Sequence, residues 1–134
     1  MAEAICQGGL VALTQQWKAF LNTCVLRLYK NNHTPAPTDT AASYTQADFT
    51  GYAAINLVAW GDAYLNAGFV GQIDEINRTF TQTAVTTTCL VYGYYITDGF
   101  GNLIYAESNP MGAFNMNAAG LVYIVQARMI FDNP

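Results

Sequence analysis

Alternation is clearest at the end of the chain. In LVYIVQARMIF (121–131), Leu121, Tyr123, Val125, Ala127, Met129 and Phe131 share one side, while Val122, Ile124, Gln126, Arg128 and Ile130 share the other. Successive strand side chains point to opposite faces, so this run predicts a strand whose core face is the first set. Two further apolar runs, 87–97 and 103–107, surround the turn DGFGN (98–102). Glycines there supply the positive φ that hairpin loops use, so the pair predicts a β-hairpin. Tyr92 and Tyr94 fall on one face of it, Val91 and Tyr95 on the other. Both faces are apolar and both need cover. The opposite sheet is expected to take one, and the N-terminal helix or a neighbouring subunit the other.

Upstream the period changes. Leu10, Leu13, Trp17, Phe20 and Leu21 recur at mostly three- and four-residue steps, which predicts an amphipathic helix over about 10–21. Gly8 and Gly9 interrupt that pattern, so residues 1–9 are expected to form a separate arm and 10–134 a single domain. CVLRLYK (24–30) has strand character, and NNHTPAPTDT (31–40) reads as an irregular, exposed loop. A strand is expected over 54–60 and a turn-rich stretch over 61–71. Residues 72–82 alternate poorly, with Ile73 and Glu75 against Asp74 and Ile76, and read as an edge strand or bent connection. Residues 109–120 read as a loop. Short strands between turn signals, with few helices, predict a mainly β chain: an antiparallel β-sandwich, jelly-roll or Ig-like, with one N-terminal helix.

Composition narrows the function. The chain of 134 residues is 52% hydrophobic but only 10% charged, with nine Tyr and seven Phe. An ordinary globular chain carries about 25% charged residues. Two readings follow, a surface partly consumed by partners or one built from uncharged Thr, Asn and Gln. The net charge is −4, and Lys18, Arg27, Lys30, Arg78 and Arg128 form no cluster. Nucleic-acid binding needs a basic footprint, so none is expected. GGLVAL is too short for a signal core or a membrane span, which points to a cytosolic, membrane-free chain. Cys6, Cys24 and Cys89 are odd in number and widely spaced. Buried reduced thiols fit that pattern better than one bridge with a spare cysteine.

Candidate chemistry is sparse. The one histidine, His33, sits in the Pro-punctuated loop without a metal-ligand spacing, and reads as an exposed loop residue. Asp74, Glu75 and Glu107 are the carboxylates most like a hydrolase pair, which needs two carboxyls about 5–9 Å apart. Neighbours in a strand point to opposite faces, which argues against Asp74 with Glu75. Asp98 and Asn102 lack the acidic pattern of a calcium loop and read as a β-turn. No nucleophile elbow, dinucleotide or phosphate loop occurs. The sequons at Asn32 and Asn77 matter only in a secretory pathway. No catalytic residue, cofactor or metal is expected. For the tyrosines 92, 94, 95 and 105, a core role ranks first, a protein interface second and a sugar-stacking platform third.

The order of segments adds a resemblance. VLRLYKNNHTPAPTDTAASYTQADFTGYAAI (25–55), followed by VYGYYITDGFGNLIYAE (91–107) and a terminal strand, resembles a family of small structural proteins of tailed bacteriophages. The pattern spans about 5–131, and departs in the loop 109–120 and the apolar end ARMIFDNP. The resemblance implies a virion component, a capsid decoration or cement protein; such a protein is expected to bind the major capsid protein and copies of itself, as a trimer if it sits on a three-fold site. It would assemble in the host cytoplasm and sit on the capsid surface. A tail or baseplate component, with a receptor- or carbohydrate-binding tip, is the alternative; a small enzyme with converging carboxylates ranks last. Interface candidates are Ile5, Trp17, Tyr92, Tyr94, Tyr95, Phe100 and Tyr105, with the arm 1–9 and the loop 31–45 as contact extensions.

Overall fold

The computed structural model describes residues 6–84 and 88–131. An N-terminal helical segment, α1 (Gln7–Gln16) and α2 (Lys18–Leu21), precedes nine strands. They are β1 (Val25–Tyr29), β2 (Ile55–Asn56), β3 (Tyr64–Leu65), β4 (Gly71–Thr81), β5 (Cys89–Val91), β6 (Gly93–Thr97), β7 (Leu103–Ser108), β8 (Phe114–Met116) and β9 (Val122–Phe131). All pairings are antiparallel, in sheets ordered β2-β1-β6-β7, β3-β4-β9 and β5-β8. Leu26, Leu28 and Ile96 from the first sheet, Ile73, Val125 and Met129 from the second, and Cys89, Val91 and Met116 from the third share one buried cluster. The chain is mainly β and sandwich-like, as expected. The strand orders carry no closer assignment to a jelly-roll or Ig-like topology.

β9 follows its pattern closely: Val125, Ala127 and Met129 are buried, while Val122, Ile124, Gln126 and Arg128 are exposed. β4 is the larger correction. It is a long central strand between β3 and β9, neither an edge nor a bent connection. Its register slips between Asp74 and Asn77, where two residues of β4 face one of β9. Up to the bulge the buried residues are Gly71 and Ile73, with Glu75 as the first residue inside it; after it they are Phe80 and, just past the strand, Gln82. The bulge switches parity from odd to even, and that switch blurs the alternation in sequence.

Other boundaries moved for local reasons. α1 starts at Gln7 and takes in Gly8 and Gly9, so residues 7–9 belong to the helix and not to an arm; residues 1–5 lie outside the described residues. Only Leu10 and Thr14 of α1 are buried, and Leu13 is 45% exposed. The buried side rests on Gly71, where an added Cβ would collide with Thr14 Oγ1 and come within 3.2 Å of the Leu10 carbonyl oxygen. The expected strand 54–60 shrinks to β2 plus a bridge from Trp60 to Glu75. The expected run 87–97 is two strands broken at Tyr92, because β5 pairs with β8 and β6 with β1 and β7; Thr87 is outside the described residues. The loop 109–120 contains β8.

Within the chain, the second face of the hairpin is covered by a loop and not by the helix. Loop 31–46 folds over it, bringing Tyr44 onto Tyr29 and Tyr95 with ring centroids 4.9 and 5.1 Å away. Tyr29, Tyr44 and Tyr95 form a separate buried cluster. Across the ladder from Tyr29 stands Gly93; a Cβ there would lie 2.8 Å from the Tyr29 ring and hydroxyl, so only glycine lets the ring lie over the strand.

Candidate functional site

The loop is pinned at Asp39. One carboxylate oxygen, Oδ2, lies 2.8 Å from His33 Nε2 and accepts the Tyr44 hydroxyl at 2.7 Å and the Ala36 N–H at 2.8 Å. Asn31 ties both ends of the loop, donating to the Ser43 carbonyl and accepting from the Thr45 N–H. The Asp39 side chain is only 8% exposed. Tyr44 first, then His33 and the Ala36 N–H, hold its carboxyl down at about 2 from an ordinary 3.8. Burial, then Asp39, push the Tyr44 phenol well above its ordinary 10. Oδ1 accepts no hydrogen bond from the described residues, and Asp39 is among the residues that line an open groove of about 400 Å³ between the loop and β7. His33 is thus half-buried and paired to an acid, where an exposed loop residue was expected. The sequence signal was present but unspecific: Asp39 stands six residues after His33 and five before Tyr44.

A second hub bridges the two larger sheets. Arg128 of β9 grips Glu107 of β7 with two hydrogen bonds, Nη2 to Oε1 at 3.0 Å and Nε to Oε2 at 3.3 Å. Tyr94 and Tyr105 donate to the same Oε2 at 3.1 and 3.4 Å. Burial first, and Glu107 next, push both phenols above their ordinary range. Beside this hub runs a seam of about 170 Å³, lined by Glu107, Asn109, Pro110, Tyr123 and Gln126 among others. A carboxylate held by a bidentate guanidinium and two phenols is a fixed acceptor, organised to hold the sheets together.

Each hydrolase candidate is engaged by partners of its own. Asp74 accepts the Tyr64 hydroxyl at 2.6 Å and the Gln72 amide at 2.7 Å. Glu75 is buried beside it and is gripped by Arg78 at 2.6 and 2.9 Å. Glu107 belongs to the other sheet. Asp98 closes the β6–β7 turn, accepting the Phe100 and Asn102 N–H groups on Oδ1 and the Asn102 amide on Oδ2. No group of three or more His, Cys, Asp or Glu placed to hold a metal occurs among the described residues. No described helix is long and apolar enough to cross a membrane.

The interface candidates divide. Ile5 lies outside the described residues. Tyr94 and Tyr95 are buried, at 7% and 4% exposure, on opposite faces of β6. Tyr92 is half-buried beside the tyrosine cluster, and Tyr105 is half-buried against the main core. The four tyrosines therefore make no single platform. Trp17 is 43% exposed, with its ring against Phe20 and Phe131, and Phe100 is 93% exposed at the tip of its turn. Composition concealed one more aromatic: Phe69, in the β3–β4 turn, is 66% exposed at φ 59°. No family model, curated protein or solved structure matches the chain.

Proposed function

We propose that the chain is a non-enzymatic docking module, a phage capsid decoration protein that binds the major capsid protein, caps it as a homo-oligomer and sits on the capsid surface. The observation that carries this reading is the pair of aromatic tips. Phe100 stands almost wholly in water on a turn fixed by Asp98, and Phe69 stands in water in a left-handed conformation. That backbone costs a residue other than glycine about 1–2 kcal/mol, and the turn is held by Asn66, whose carbonyl accepts the Phe69 N–H, while the Phe69 ring itself stays in water.

The tips share one end. Glu107 lies by Arg128 and Asn109 by Tyr123, so β7 and β9 run in opposite directions across the seam. The start of β7, next to Phe100, therefore lies with the end of β9, where Phe131 pairs with Gly71 next to Phe69. Apolar anchors presented on rigid turns lose little entropy on docking. A charge-poor surface suits a partner surface buried at many equivalent positions.

The test is cryo-EM of particles carrying the native chain and of emptied heads incubated with purified protein. Regular density on the outer shell is expected, and F69G/F100S should lower its occupancy severalfold without changing the melting temperature. Density confined to the tail would move the reading to a tail or baseplate component, and no density anywhere would end it.

A further inference from the structure

The groove beside Asp39 continues onto a free strand edge. β7 is the outermost strand of its sheet. Cys24 and Leu28 direct their carbonyls toward the β2 side, to Leu57 and Ala47. The odd residues of β1 therefore bond β6, and strict alternation makes Tyr94 and Ile96 bond β7 through Glu107 and Tyr105. Ala106 and Ser108 are left with N–H and C=O groups directed away from the sheet, and neither has a backbone partner there among the described residues. Pro35, Pro37, Tyr44 and Leu103 wall the groove along this edge, and Asp39 forms part of it with Oδ1 unengaged.

We propose that this groove receives an extended segment of a partner protein, hydrogen-bonded along β7 and carrying a lysine or arginine that reaches Asp39. The proposal rests on the docking-module reading and names the surface through which the module grips. Polar groups repeating at every second residue are matched by another extended backbone, which selects a peptide strand. Asp39 has no Lys or Arg of its own among the described residues, since the ion pairs of Lys18, Lys30, Arg78 and Arg128 go to other carboxylates and Arg27 bonds Gln46 and Thr97. A carboxylate among the residues lining a proline- and tyrosine-walled groove selects a cation from that strand. The groove also adjoins the Phe100 turn, because Asp39, Gly101, Asn102 and Leu103 line one continuous depression.

The probe is a short blocked peptide alternating valine or threonine with lysine, titrated into the full chain by NMR. Amide shifts and slowed hydrogen exchange are expected at Ala106 and Ser108, with binding at or below about 1 mM. A106P is the decisive variant: the Ala106 N–H points away from β6, so proline removes no ladder bond and should leave the melting temperature in place while abolishing binding. Asp39→Asn should weaken it by about tenfold, the worth of one charged hydrogen bond. Binding that survives A106P, shifts that map elsewhere, equal binding of a peptide with glutamate at the lysine positions, or no binding at all would overturn the proposal. An empty capsid surface would sink the decoration reading and leave the peptide result standing, so the two failures are distinct.

Discussion

Three donors converge on one oxygen of Asp39, and the acid response of the tyrosine-covered face follows from them. The carboxyl sits at about 2 in the fold against an ordinary 3.8, so folding favours its ionised form. The stability this contributes is complete above the ordinary carboxylate value and is lost as pH falls through the folded one. We therefore expect the near-ultraviolet tyrosine signal of the Tyr29, Tyr44 and Tyr95 cluster to hold down to about pH 4 and to decay toward pH 2. In Asp39→Asn this step should vanish. An unchanged acid limb in the variant would show that other carboxylates control it.

At the scale of elements, the β4 bulge separates two kinds of deletion. Removing Ile76, which is 53% exposed inside the bulge, would leave one residue facing Ala127 and keep Ile73 and Phe80 pointing inward. Removing Thr79 from the regular ladder would turn Phe80 outward, a change of the order of losing a buried aromatic, about 3–5 kcal/mol. Thermal denaturation should find the first deletion the milder by several degrees. The same bulge explains what could be read from sequence. β9 was legible because the extra residue lies on β4 and leaves β9's own alternation intact, and the β6–β7 hairpin because its turn chemistry is local. β4 was misread because one inserted residue reverses the pattern midway. Tyr44 and its loop were misread because Thr, Pro and Asn describe a local preference, whereas their cover of Tyr95 depends on a contact across the fold. Asp39 was overlooked for the same reason: its partners are sequence neighbours, but only the folded loop points them at one oxygen.

For the molecule as a whole, the thiols report opening. Cys6 is exposed, Cys24 and Cys89 are buried, and all three are free; the expectation of three buried thiols holds for two. Burial, then Asp98, push the Cys24 thiol up to about 11, so it carries almost no thiolate at neutral pH. A thiol reagent should modify one cysteine at once and the other two only at the rate of unfolding. Fast reaction of all three would mean that the sheets separate readily. The crossing at Tyr92 bears on that separation. One residue joins a strand of one sheet to a strand of another, with its carbonyl held by the Asn109 N–H and its own N–H by Tyr29. A joint so short has no slack, so a tug on either layer is handed directly to the other, and the module should yield as a unit when stretched and not by sliding apart.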